Sequence, residues 1–141
     1  MHYNLNEFRS NQPYPLNLLG LPTEAQQYRI VCAVSLNCGH CLQLLPQFKP
    51  LGSNFNFEFV LVTDGTEEEN KSIKEQLGFS FHMISFAHQN FSDIGISFTP
   101  QAYLIDLQGN VVQNKEIRQV DDLKNFWLKG SEMIDDAGSI S

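Results

Sequence analysis

The feature that most constrains the fold is a pair of cysteines placed directly after a short apolar run. Residues 28–35 are nearly all apolar and are β-branched at their centre, a pattern that predicts a buried strand. The segment Cys38-Gly39-His40-Cys41 follows, and residues 38–50 then have the apolar spacing of a helix. We expect Pro46 to kink that helix, because proline lacks the N–H that an interior helical position donates. The sequence therefore predicts a strand that leads into a helix whose first turn carries two thiols.

A cysteine in the first turn of a helix is favoured as a thiolate. Unpaired N–H groups and the positive end of the helix dipole both lie there. A charged imidazole at His40 would stabilise the thiolate of Cys38 further. Thiols in such settings have pKa values of about 3.5 to 7.5, against about 8.5 for free cysteine, and the thiolate is the reactive form.

The spacing of the two cysteines predicts a redox reaction. Cys41 lies close to one helical turn beyond Cys38, so its sulfur can reach the first one. We predict that Cys38 attacks a substrate disulfide and that Cys41 resolves the mixed disulfide. The reverse sequence of steps oxidises a dithiol substrate. No bound cofactor is needed, because the two sulfurs hold both electrons.

Zinc binding is the alternative for a Cys-x-x-Cys pair. A structural zinc site needs four ligands, usually from a second cysteine or histidine pair. The sequence has no such pair, since His82 and His88 are not spaced as ligands and Cys32 lies inside the apolar run. We therefore predict no metal, and we expect Cys32 to be a buried core thiol unless it communicates with Cys41.

The rest of the chain alternates between strand-like and helix-like patterns. The predicted segments are 55–63 (strand), 66–77 (helix), 79–98 (loop with aromatic residues), 103–106 (strand), 108–110 (hairpin turn), 111–112 (strand) and 120–128 (helix). Thr66 is predicted to cap the second helix and Gly78 to end it. This order combines parallel strands, covered by helices, with antiparallel ones. The predicted fold class is α/β, with a mixed central sheet flanked by helices.

The chain has 141 residues, which suits one domain. We divide it into an N-terminal arm at 1–27, a domain at 28–130 and a flexible acidic tail at 131–141. The 42% of hydrophobic residues is enough for one packed core. The formal net charge of −7 argues against nucleic acid as a partner, since such binding usually rests on a basic patch.

Two membrane-related signals are missing from the sequence. No run approaches the roughly 18 apolar residues of a membrane span. The first ten residues lack the basic patch and apolar run of a signal peptide. We expect either a cytoplasmic protein or one from which an export signal or anchor was removed.

The motifs described so far resemble those of the thioredoxin superfamily. The CGHC segment after a buried strand is similar to the redox motif of that family, and Pro46 matches its helix-kinking proline. The segment Phe98-Thr99-Pro100, before the strand at 101–106, resembles the region of the family's cis-proline. This version of the segment is most like the TlpA-type thiol–disulfide oxidoreductases. The resemblance covers roughly residues 12–129 and implies a thioredoxin-like fold.

The resemblance also implies roles for individual residues. The implied catalytic set is Cys38 as nucleophile and Cys41 as resolving thiol, with Gly39 and His40 between them. The implied substrate-binding set is Thr99, Pro100 and Asn37. Pro100 would be cis and face the pair, and Thr99 would offer its backbone to an extended substrate segment. The implied partners are protein thiols and disulfides together with an electron-donor or electron-acceptor protein, and we expect a monomer.

Three positions depart from the family pattern. Asn37 stands where many members have a tryptophan, which changes the surface that meets the substrate. Cys32 stands where thioredoxins carry a buried aspartate, and Leu44 where TlpA-type members often have a glutamate. Neither usual proton acceptor for Cys41 is therefore present. The Gly-His pair resembles that of protein disulfide isomerases, which predicts a less reducing couple than thioredoxin (about −180 against −270 mV).

Two other functions stay open at this point. One is a thiol peroxidase, in which Ser35 would occupy the place of the threonine that precedes the reactive cysteine of peroxiredoxins. The other is a non-catalytic binding module that uses the aromatic-rich stretch 79–98. The phenylalanines of that stretch fit core and loop packing better than a partner groove.

Overall fold

A computed structural model describes residues 7–53 and 56–126. Within them, five strands form one sheet: β1 (Tyr28–Val34), β2 (Phe57–Thr63), β3 (His82–Ser85), β4 (Gln101–Ile105) and β5 (Val111–Glu116). Their order across the sheet is β3-β2-β1-β4-β5. β1, β2 and β3 run parallel, whereas β4 is antiparallel to both β1 and β5. The predicted mixed α/β architecture is confirmed.

Helix α1 (Gly39–Leu44) is shorter than the helix predicted at 38–50. A 3-10 helix, Leu45–Ser53, continues from its last residue and contains both Pro46 and Pro50. A proline cannot donate the N–H of the α-helical pattern, which explains why the α-helix stops before Pro46. The prediction of one kinked helix was therefore wrong in its bounds.

Helix α2 (Glu67–Leu77) has the caps that its sequence predicts. The hydroxyl of Thr66 accepts the N–H of Glu69 at 3.1 Å, and the Glu69 carboxylate accepts the N–H of Thr66 at 3.0 Å. Gly78 follows the helix with φ of 69°, a left-handed conformation that glycine adopts without strain. A last helix, α3, begins at residue 120 and is described to residue 126. Residues 127–128 of its predicted span, and the predicted tail at 131–141, lie outside the described residues.

The stretch 79–98, predicted as a loop, contains a strand and a short helix. β3 pairs with the end of β2, and a 3-10 helix spans Phe91–Ile94. The four residues of β3 have no alternating pattern, so their strand conformation comes from pairing with β2. Most of the phenylalanines in the stretch pack inward, as expected: Phe79, Phe81 and Phe86 are buried and Phe91 is half-buried. Phe98 is the exception, with 41% of its surface exposed.

The two faces of the sheet are covered by different parts of the chain. One face packs against α1 and α3, with the apolar side chains of Leu44, Leu123 and Phe126 in its core. The other face packs against residues of the segment predicted as an arm, including Tyr14, Leu16 and Leu19. The division into an arm at 1–27 and a domain at 28–130 stays a prediction. Across the part of the chain described, no helix is long and apolar enough to cross a membrane.

Candidate functional site

The topology places the cysteine pair at the carboxyl end of β1, in the centre of the sheet. β1 ends at Val34, and Cys38 is the N-cap residue of α1. Its backbone is extended, and its side chain accepts the N–H of Cys41 at a donor–acceptor distance of 3.3 Å. The sulfur therefore takes the role that a serine or aspartate oxygen usually has at a helix N-terminus.

The two thiols differ in exposure. Cys38 is half-buried, whereas Cys41 is fully buried with 0% of its surface exposed. The structure shows all three cysteines as free thiols. Only Cys38 of the pair can meet the sulfur of another protein without a change in the fold.

The pKa values of the two thiols move in opposite directions. A hydrogen bond from the Cys41 thiol, followed by backbone hydrogen bonds from Cys41 and His40, holds the pKa of Cys38 below its ordinary value. Burial, followed by its hydrogen bond with Cys38, raises the pKa of Cys41 to about 11. Of the two thiols, Cys38 is therefore the one that loses its proton more easily, and the Cys41 thiol donates a hydrogen bond to it.

Thr99 and Pro100 come to the cysteine pair from a distant part of the chain. The peptide bond between them is cis, which is the geometry the family resemblance implied. The carbonyl oxygen of Thr99 lies 3.9 Å from the Cys38 sulfur. Side-chain hydrogen bonds from Thr99 lower the pKa of both thiols. The expectation for Thr99 concerned its backbone alone, and the contacts of its side chain were missed because they depend on the tertiary fold.

The remaining predicted site residues are chain neighbours of Cys38 and lie at the protein surface. Asn37, Gly39 and His40 are all exposed. The N–H of Asn37 donates to the hydroxyl of Ser35 at 3.1 Å. A Cβ added at Gly39 would meet no described atom within 4 Å, so packing does not demand a glycine there. The catalytic and substrate-binding roles assigned to these residues stay predictions.

The two positions that lack the family's acidic residues are both in the core. Cys32 and Leu44 belong to the same apolar cluster as Cys41, with 0% and 2% of their surfaces exposed. Burial raises the pKa of Cys32 far above its ordinary value, so Cys32 stays protonated. Neither residue can accept the proton of Cys41 near neutral pH.

Sequence reasoning missed one acidic residue close to the pair. Asp64 lies between the strand predicted at 55–63 and the helix predicted at 66–77, and its carboxylate binds the loop between β1 and α1. An aspartate directly after a buried parallel strand was the available signal, since the carboxyl ends of neighbouring parallel strands lie at one edge of a sheet. Among the residues that the structure describes, no three histidine, cysteine or acidic side chains are grouped to hold a metal ion.

Comparison with known proteins supports the fold rather than a family. The sequence matches no family model and no curated protein. Among solved structures, it is similar to a putative thiol:disulfide interchange protein DsbE from Chlorobium tepidum, at 17% identity, with a TM-score of 0.69, over 88% of this chain and 99% of that one. It is also similar to the thioredoxin domain of a thiol-disulfide oxidoreductase from Bacteroides vulgatus, at 20% identity, with a TM-score of 0.62, over 87% and 98% of the two chains.

A third similar structure belongs to a different functional class. It is a peroxiredoxin-like protein from Aquifex aeolicus, at 12% identity, with a TM-score of 0.68, over 88% of each chain. At such identities the similarities show a thioredoxin-like fold, and this part of the prediction is confirmed. The fold hosts more than one redox activity, so the activity has to be argued from the site.

Proposed function

We propose that this protein is a thiol–disulfide oxidoreductase that acts on protein thiols and disulfides through Cys38 and Cys41. The observation that carries the proposal is the polarity of the pair. The half-buried Cys38 accepts the N–H of the buried Cys41 and has the lowered pKa, whereas the pKa of Cys41 is raised. The finer features, namely the TlpA-type resemblance and the roles of Gly39, His40, Asn37, Thr99 and Pro100, form part of the same proposal.

The proposed reaction moves two electrons in two exchange steps. The Cys38 thiolate attacks one sulfur of a substrate disulfide, which forms a mixed disulfide and releases one substrate thiolate. The Cys41 sulfur then attacks Cys38, forming the Cys38–Cys41 disulfide and releasing the second substrate thiolate. The proton of Cys41 goes to a departing thiolate, and the substrate is reduced as the pair is oxidised. The reverse steps oxidise a substrate dithiol.

The test is the equilibrium reduction potential of the pair. The full chain is equilibrated in glutathione and dithiothreitol buffers of graded potential, and the thiols are trapped and read by mass. We expect one reversible disulfide between Cys38 and Cys41. A potential below about −250 mV would indicate a reductase, and one above about −200 mV an oxidase or isomerase. The Gly-His pair favours a reduction potential less negative than that of thioredoxin.

Two variants and one assay decide between the alternatives. Cys41→Ser is expected to trap mixed disulfides at Cys38, whereas Cys32→Ala, the matched control at a buried thiol, is expected to leave disulfide formation intact. If no Cys38–Cys41 disulfide forms at any potential, the proposal fails.

The peroxiredoxin-like structural similarity makes peroxide the second substrate to test. If the Cys41→Ser variant still consumes hydrogen peroxide, that result would favour a thiol peroxidase instead.

A further inference from the structure

A carboxylate outside the cysteine pair holds the loop that presents Cys38. Asp64 is half-buried and directly follows β2, the parallel neighbour of β1. The hydroxyl of Ser35 donates to one of its carboxylate oxygens at 2.5 Å. The N–H of Leu36 donates to the other oxygen at 2.8 Å. Hydrogen bonds to an ionised carboxylate are shorter and stronger than neutral ones, so Asp64 fixes two consecutive residues of the loop.

Hydrogen bonds of Ser35 connect the Asp64 carboxylate to both cysteines. Its hydroxyl accepts the N–H of Asn37 at 3.1 Å, and its carbonyl oxygen accepts the N–H of Cys38 at 3.1 Å. A backbone hydrogen bond with Ser35 also acts on the Cys41 thiol. The hydroxyl and the carbonyl oxygen of Ser35 therefore hold the turn that ends at Cys38. The carboxylate of Asp64 holds Ser35 itself.

A second contact joins the same two segments. Gly65, the residue after Asp64, is buried, and a Cβ added there would collide with the side chain of Leu36. The end of β2 thus touches the loop through both a carboxylate and a close backbone approach. Residues 64–65 therefore contact the loop at two points.

We infer that Asp64 is a positioning residue for the redox pair, because it holds the loop of residues 35–38 so that the donors of Cys41 stay aimed at the Cys38 sulfur. The inference deepens the proposed function and rests on it. The hydrogen bonds of the Asp64 carboxylate go to Ser35 and Leu36, and neither goes to a reacting sulfur. Its effect on the reactivity of Cys38 passes through Ser35 and Leu36.

The experiment measures the pH dependence of Cys38 alkylation. Reduced full-length protein is treated with iodoacetamide across a pH series, and the modified cysteine is identified by mass. Asp64→Ala removes both hydrogen bonds and is expected to raise the midpoint of the Cys38 profile. We expect the midpoint to rise by about one unit, which lowers the alkylation rate about tenfold at pH values below the wild-type midpoint. Asp64→Asn keeps an acceptor oxygen for Leu36, and its loss of rate is expected to be smaller.

Asp106 provides the matched control. It is also half-buried, and its carboxylate also accepts two loop N–H groups, those of Gln108 and Asn110, at 2.9 Å each. It follows β4, which is antiparallel to β1, so it lies at the opposite end of the sheet from Cys38. Asp106→Ala is expected to leave the alkylation profile of Cys38 unchanged.

The outcomes separate this inference from the proposed function. If folded Asp64→Ala keeps the wild-type alkylation midpoint, or if Asp106→Ala shifts it equally, the inference is wrong even when the disulfide forms normally. If the wild-type protein forms no Cys38–Cys41 disulfide, the proposed function fails whatever Asp64 does. Should Asp64→Ala not fold, Ser35→Ala removes one of the two bonds to Asp64, together with the acceptor of the Asn37 N–H, and keeps the bond from Leu36. An unshifted midpoint in that variant would overturn the inference, and a raised one would support it.

Discussion

At the scale of single residues, the site consists of the half-buried thiol of Cys38 and the groups that donate hydrogen bonds to it. The Cys38 sulfur receives the N–H of Cys41 at 3.3 Å, and the side chains of Cys41 and Thr99 lower the pKa of Cys38. Each of these donors favours the thiolate over the thiol. The reactivity of Cys38 therefore depends on a residue close in the chain and on one far from it.

Replacement of Thr99 by valine tests the distant donor. Thr99→Val keeps the shape of the side chain and removes the hydroxyl, so the pKa of Cys38 is expected to rise. A net hydrogen bond is worth about 0.5–1.5 kcal/mol, which predicts a fall of about twofold to tenfold in the alkylation rate at pH values below the wild-type midpoint. The pH profile of iodoacetamide labelling measures it. Ser97→Ala, an exposed hydroxyl nearby in the chain, is the control. An unchanged profile in Thr99→Val would show that the hydroxyl does not act on the thiolate.

At the scale of elements, local sequence signals decide where the helices begin and end. α2 begins at a capping box made by Thr66 and Glu69 and ends at Gly78. α1 ends where Pro46 removes a backbone donor. These boundaries need no contact with the rest of the molecule, because each is made by side chains within one turn of the helix end.

The capping box leads to a prediction about stability. Thr66→Ala removes the oxygen that accepts the N–H of Glu69, so the free energy of unfolding is expected to fall by about 1 kcal/mol. Urea unfolding followed by circular dichroism measures the change. Ser72→Ala, an exposed position inside the same helix, is expected to change it by less than about 0.5 kcal/mol. Equal effects of the two variants would contradict the role given to the cap.

At the scale of the whole molecule, the sheet is stable only when both of its faces are covered. α1 and α3 cover one face, and the segment before β1 contributes Tyr14, Leu16 and Leu19 to the other. Arg29 secures that segment, since its guanidinium donates to the carbonyl oxygens of Pro22 at 2.5 Å and Thr23 at 2.7 Å. The residues before β1 are thus packed as core and not only as a connection.

Two leucines of one turn test this packing. Leu16 has 1% of its surface exposed and Leu18 has 42%, although both lie in the 3-10 helix Leu16–Leu19. Leu16→Ala is expected to lower the free energy of unfolding by about 2–5 kcal/mol, because it leaves a cavity against the sheet. Leu18→Ala is expected to change it by less than about 0.5 kcal/mol. Thermal and urea unfolding measure both, and a loss below about 0.5 kcal/mol for Leu16→Ala would show that this segment does not stabilise the domain.

The sequence by itself determined the local chemistry of the protein. The apolar run at 28–35, the Cys38–Cys41 spacing and the cap at Thr66 are signals that act over a few residues. The resemblance to the thioredoxin superfamily assigned the Thr99-Pro100 segment to the site, whereas these local signals predicted the buried strand at 28–35, the helix that carries the thiols and the start of α2. Each prediction depends on backbone geometry or hydrogen bonds that neighbouring residues provide for themselves.

Only the tertiary structure decided which distant residues meet. Thr99 lies beside Cys38 because β4 pairs with β1, and Asp64 reaches Ser35 because β2 is the other neighbour of β1. β3 is a strand because β2 pairs with it, since its own four residues have no strand pattern. Pairing of this kind depends on ladders of hydrogen bonds between remote segments, and the sequence of one segment does not specify which strand becomes its neighbour.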